Sequence, residues 1–167
     1  MKKVLLVAVG ALLMTVTANA QKFGHFNSAD IIQILPEYKA AQTELKTLQE
    51  QYEKDLQSMQ EELERKYKDY ELRKDSLPEN IRQRRENELT DLNKRIQQTY
   101  QDNSAELQKA SNEKMEAIST KIKNAVKEIG DTGGYVYIMD LTGGVPYIST
   151  TLSIDITNEL RTKLGLK

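Results

Sequence analysis

"GGYVYIMDLTGGVPYIST", residues 133–150, is the stretch that decides how this chain folds. Tyr135 to Leu141 is apolar on both faces except for Asp140, as in a strand covered on both sides. Thr142-Gly143-Gly144 turns the chain, and Val145 to Ser149 is expected to return as a second strand. Pro146 has no N–H to give to a ladder, which places that return strand at a sheet edge. Two strands and a turn are marginal on their own in water, so the rest of the sequence must supply their partner.

The sequence leading into this stretch is of another kind. All eight glycines lie outside residues 37–129, and that span holds one proline, Pro78. Gly and Pro cost most in helix interiors, so their exclusion predicts long helices. In "DSLPEN", residues 75–80, Ser76 and Glu79 have capping-box spacing, and Pro78 falls in a first turn that tolerates it. One helix is expected to stop near Lys74 or Asp75 and the next to start at Ser76.

Apolar residues in the first arm fall at Leu45, Leu48, Tyr52, Leu56, Met59, Leu63, Tyr67 and Tyr70. Steps of three, four and four recur, an eleven-residue rhythm that implies little or right-handed supercoiling. The second arm continues with Leu89, Leu92, Ile96, Tyr100, Leu107, Ile118, Ile122, Val126 and Ile129, interrupted by Asn103, Ser111 and Lys114. That interruption reads equally as a softer bend or as an ordinary polar break. A stripe this narrow packs two antiparallel helices together and leaves the rest solvated. At ~1.5 Å per residue the first arm extends roughly 60 Å, so the pair is expected to project as an arm.

"KFGHF", residues 22–26, is a short β-capable run, and Asn27 or Ser28 caps the helix "ADIIQIL" that follows. Pro36 opens the long helix, and Gly130, Gly133 and Gly134 end the second arm. Ser153 or Asp155 caps a last helix, with Ile156, Leu160 and Leu164 on one face and Gly165 past its end. A helical hairpin returns residue 130 to the neighbourhood of residue 30, so the strand at 22–26 can join the one at 135. The expected fold class is mainly α with a small β body (α+β). Residues 21–36 and 130–167 form the body, and 37–129 form the arm, with its turn near 75–78. Three short strands and two short helices make a small core whose edges are best closed by other subunits.

Lys2 and Lys3, the apolar run Val4 to Val16 and Ala18-Asn19-Ala20 before Gln21 compose a secretory signal peptide, cleaved after Ala20. Without Lys2 and Lys3, and with no acid in that segment, the formal charge moves from −1 to −3. Such a chain has no overall electrostatic reason to bind nucleic acid. The absence of cysteine leaves no disulfide and no thiolate metal site. His25, the single histidine, lies in the first strand and reads as structural, and the carboxylates are spread along solvated helices. "TGGYV" and "TGGVP" are turn chemistry around a strand, not a phosphate cradle. The chain reads as a non-enzyme without cofactor or metal.

In order (export signal, short strand, short helix, long charged helical hairpin, strand and turn, C-terminal helix) the chain resembles the OmpH/Skp family of periplasmic chaperones. "KFGHFNSADIIQILPEYKAA" at the front and "GGYVYIMDLTGGVPYISTTLSIDITNELRTKLG" at the back carry the resemblance. It implies a homotrimer whose strands form a small barrel body and whose three arms enclose a cavity. Unfolded outer-membrane proteins would be held there in the periplasm without ATP. Phe23, Phe26, Val136, Ile138, Tyr147 and Ile148 would then belong to the body and its subunit contacts. Known members are strongly basic; this chain is mildly acidic, so attraction of clients by net charge is not carried over.

Two groups on the arm have two readings each. Tyr52, Tyr67, Tyr70 and Tyr100 either pack between the helices, as their stripe suggests, or present amphipathic rings to clients. Arg73, Lys74, Arg82, Arg84 and Arg85 at the tip either touch anionic lipid heads at a membrane surface or form a solvated helix end diluted by Asp75, Glu79 and Glu86. A non-chaperone periplasmic coiled-coil spacer or adaptor, and a membrane-surface binding module working through the arm tip, are the alternatives to the chaperone reading.

Overall fold

The computed structural model describes residues 21–166. The expected signal peptide, residues 1–20, lies outside the described residues. The elements are β1 (Lys22–Phe26), α1 (Ser28–Ile34), α2 (Pro36–Arg73), a 3-10 turn (Lys74–Ser76) and α3 (Glu79–Gly133). They are followed by β2 (Tyr135–Asp140), a second 3-10 turn (Leu141–Gly143), β3 (Ser153–Asp155) and α4 (Thr157–Lys163). The described residues divide into two compact units: one joins residues 21–31 with residues 122–166, and the other is Ile32–Lys121.

In the first unit the sheet has order β2-β1-β3, with β1 central and both neighbours parallel to it. This corrects two expectations. The strand after 135–140 does not return antiparallel, and it does not lie at 145–149. Residues 144–152 form a loop, and the third strand is Ser153–Asp155. Local polar chemistry explains the loop. Ser149 Oγ accepts from the N–H groups of Thr151 (3.4 Å) and Leu152 (3.1 Å), and the Ser149 carbonyl accepts from Ser153 N–H at 3.2 Å. A serine that gathers nearby N–H groups in this way competes with ladder formation, and Pro146 has none to offer.

Gly24 lets the sheet close. A Cβ there would stand 3.1 Å from both Ile138 Cγ1 and the Tyr135 ring, so glycine admits those side chains over β1. The unit's core is Phe26, Ile31, Ile122, Ala125, Ile129, Ile156 and Leu160. Asp155 Oδ1 accepts from Thr157 N–H at 2.8 Å at the start of α4, as expected of a capping residue, and Ile156 N–H donates to the His25 carbonyl at 3.0 Å. At the other end Gly165, at φ +73°, donates to the Thr162 carbonyl while Leu166 donates to that of Arg161, a Schellman closure.

Helix α3 runs through Gly130 and stops at Gly133, where Gly134 takes φ +66°. Lys22 Nζ donates to the Gly133 carbonyl at 3.1 Å, a cation on an otherwise orphaned C-terminal acceptor. At the start of α3 the capping box does not form. Ser76 Oγ turns back to donate to the Arg73 carbonyl (2.8 Å), and Glu79 pairs with Arg82. Instead the Pro78 carbonyl accepts from Ile81 (2.9 Å) and Arg82 (3.0 Å), opening the helix at Glu79.

In the second unit α2 and α3 lie antiparallel. Glu37 pairs with Lys121, Glu44 with Lys114 and Lys66 with Glu88, and Tyr70 Oη donates to Glu86 Oε1 at 2.5 Å. The residue numbers in each pair add to nearly the same total, the mark of an antiparallel register without slippage. Leu45, Leu48, Tyr52, Leu56, Met59 and Leu63 are all half-buried, as the narrow stripe requires, and Leu92 and Ile118 are buried. The polar interruption at 103–114 does not break α3, and Lys114 is used in the pair with Glu44.

Candidate functional site

Two surfaces stand out, one in each unit. The first belongs to the parallel sheet. Residues paired in parallel register share a face, so Phe23 and His25 of β1 lie with Tyr137 and Met139 of β2 and with Ser153 and Asp155 of β3. Phe23 and Tyr137 hold their ring centroids 4.8 Å apart, and His25 Nδ1 lies 2.8 Å from Ser153 Oγ. Tyr137 is half exposed, and Val136, Met139 and Ile154 add exposed apolar surface. The 144–152 loop adds Tyr147, 80 % exposed, and Leu152, 73 % exposed. Among the described residues both outer strands of this sheet have an unpaired edge.

The sequence-predicted body residues divide between interior and surface. Phe26 is buried in the core, while Phe23, Ile138 and Ile148 are half-buried. Val136 and Tyr147 are exposed. Tyr137 and Met139 belong to the Phe23 face, Ile154 to the opposite face and Leu152 to the loop, and all four were missed. The doubly apolar run 135–141 already held the signal for the first two, because a strand covered on both faces has no outward set to set aside.

Where β1 and β2 end, a polar cluster ties them to α1. Asp140 Oδ1 accepts from Ser28 N–H (3.0 Å), Thr142 N–H (3.0 Å) and Thr142 Oγ1 (2.8 Å). Burial pushes the Asp140 carboxyl up, but these donors outweigh it and hold its pKa below the ordinary value. The Asp155 carboxyl is lowered too, by Thr157 first and then by the charge of His25. The cluster is self-satisfied, and among the described residues no group of three His, Cys, Asp or Glu could hold a metal.

The second surface runs along the helical pair. A groove of about 740 Å³ lies between the helices, with Leu63, Tyr67 and Tyr70 on α2 and Leu89, Asn93 and Gln97 on α3. It continues through Leu56, Gln60, Ile96 and Tyr100 toward Tyr52 and Leu107. The four tyrosines divide evenly. Tyr52 and Tyr70 are half-buried. Desolvation and the neighbouring Glu106 hold the Tyr52 phenol above its usual pKa, and the bond to Glu86, then desolvation, does the same for Tyr70. Tyr67 and Tyr100 are 53 % and 63 % exposed, and neither hydroxyl has a hydrogen-bond partner among the described residues.

The tip cations are mostly spoken for. Arg73 pairs with Asp69, Lys74 with Glu71, Arg82 with Glu79 and Arg85 with Glu88. Arg84 is the member of the cluster without an ion pair among the described residues. No helix among the described residues is long and apolar enough to cross a membrane.

Comparison with known proteins places this architecture. The crystal structure of a Caulobacter crescentus CB15 protein, provisionally assigned as an OmpH-like outer membrane chaperone, superposes with a TM-score of 0.74 at 15 % identity. The match covers 86 % of this chain and 83 % of that one, and it shows a shared fold. No relative is found among curated proteins. The profile of the family described as outer membrane protein (OmpH-like) matches residues 22–164, nearly the whole described chain. The chain belongs to the OmpH-like family.

Proposed function

We propose that this protein is an ATP-independent periplasmic holdase that binds unfolded outer-membrane proteins and keeps them from aggregating on their way to the outer membrane. Family membership carries the reading, since a member of the same fold is assigned as an outer membrane chaperone. The surfaces support it physically. A three-stranded parallel sheet with two open edges and exposed Val136, Tyr137 and Met139 is incomplete as a monomer, which favours closure by further copies into a trimeric body. The helical hairpins of three copies would enclose the client. Many weak contacts keep a chain soluble without fixing it, and release follows from the client's own folding into the membrane. No nucleotide is required.

The test is aggregation of a urea-unfolded porin diluted into buffer, followed by light scattering. The holdase reading predicts suppression that saturates near three chains per porin. Undiminished scattering at every ratio would leave an adaptor role instead.

A further inference from the structure

The geometry points to the groove between α2 and α3 as a track for an extended, uncharged polypeptide segment with aromatic side chains four residues apart. This rests on the holdase reading and specifies where, and by what chemistry, a client is held.

The cross-helix ion pairs keep to one side of the helical pair. At about 3.6 residues per turn, Glu37, Glu44 and Lys66 lie on one line along α2, whereas Gln42, Gln49, Gln60 and Tyr67 lie on another roughly 140° away. The first line carries the ion pairs to Lys121, Lys114 and Glu88. On the second side the groove is uncharged at its centre, where Leu56, Gln60, Ile96, Gln97 and Tyr100 line it. Gln60 makes no side-chain hydrogen bond among the described residues, and Gln97 spends its amide donor on Asn93 and keeps its oxygen. Free amide groups on an apolar floor suit the N–H and C=O groups of an extended backbone, which every sequence presents. At this centre an ionised segment would lose hydration without gaining a partner; the charges of Glu64, Glu86 and Lys94 stand in the part of the groove around Tyr67.

Spacing sets the aromatic requirement. The pairs Tyr70–Glu86 and Lys66–Glu88 fix the register of the two helices. With the Glu44–Lys114 and Glu37–Lys121 pairs included, the numbers of facing residues sum to 154–158, which puts Tyr100 about eleven residues, or roughly 16 Å, along the axis from Tyr67. An extended chain covers this distance in four to five residues at ~3.4 Å each, and residues i and i+4 of a strand share a face. Two exposed phenol rings therefore match two aromatic side chains on one face of a strand. Membrane β-strands present one apolar face with period two, on which residues i and i+4 both fall.

The experiment uses protein purified from the periplasmic fraction and an uncharged ten-residue strand peptide with Trp at i and i+4. The chain has no Trp, so the peptide's fluorescence reports binding directly. The expected result is saturable binding to the wild type, weakened about tenfold or more both in Y67A/Y100A and when the two Trp are moved to i and i+3. The substitution Q60E, which leaves the helix-forming character intact, should weaken it similarly by placing a charge on the neutral floor. Equal binding by wild type, Y67A/Y100A and Q60E, or by both peptides, overturns the track. If those variants still suppress porin scattering, the track alone fails and the holdase reading stands. If the wild type suppresses no scattering, the holdase reading fails first.

Discussion

Truncating Leu160 to alanine removes three carbons from a fully enclosed side chain, 0 % exposed, on the face of α4 that also buries Ile156. At about 0.8 kcal/mol per methylene the transfer loss is about 2.4 kcal/mol, and incomplete collapse of the cavity raises it to about 3–4 kcal/mol. Leu72, 86 % exposed, is the matched control: the same truncation there should change stability by less than about 0.5 kcal/mol. Global melting would mix both units, so local amide hydrogen exchange is the better assay. Ile156 N–H is bonded to the His25 carbonyl and Leu160 N–H to the Ile156 carbonyl, so the amides of β1 and α4 open together. A loss of about 3 kcal/mol should speed their exchange roughly a hundredfold in L160A and leave it unchanged in L72A. Exchange in L160A within a few-fold of wild type would refute the placement of α4 in this core.

Other outcomes follow from single contacts. A Cβ at Gly133 would lie 2.5 Å from Tyr135 Cε2, so G133A should force that ring aside and destabilise the first unit. G134A meets open space but must hold φ +66°, costing roughly 1–2 kcal/mol, so G133A should lower the melting temperature at least as much. Acid should destabilise the fold in a defined window. Lys121 holds Glu37, and Lys66 holds Glu88, below the ordinary 4.5, while Asp140 and Asp155 lie below 3.8. A depressed folded pKa contributes stability above the unfolded value that is lost as pH falls through the folded one. The melting temperature should therefore fall progressively once pH drops below 4.5 and keep falling below 3.8, less steeply in D140N; a flat profile would contradict these assignments. V136D/I138D should shift the native mass from trimer to monomer, and a retained trimer would remove β2 from the proposed interface.

Much of this fold was legible because its signals are long. Excluding glycine and proline over two helical stretches needs no tertiary context, and Pro78 marks the reversal between α2 and α3 to within a few residues. The terminal elements were readable where chemistry is local, as with Asp155 and Gly165 at the two ends of α4. The third strand was not readable. Ser153–Asp155 is three residues long and polar at both ends, and its pairing with β1 spans more than a hundred residues. Val145 to Ser149 had the better strand composition and lost to the hydrogen bonds around Ser149. Parallel direction leaves no mark in composition at all. In the helical pair, the stripe placed all four tyrosines together, yet Tyr67 and Tyr100 stand exposed. One stripe about a hundred degrees wide has a buried centre and wet margins, and periodicity alone does not separate them.

The central claim is that three copies hold one unfolded outer-membrane client. Native mass spectrometry of the purified protein, after a urea-unfolded porin is diluted into it, tests assembly and client binding in one spectrum. The predicted species contains three chains and one porin. A spectrum showing the protein alone, with the porin lost to aggregate, would contradict it.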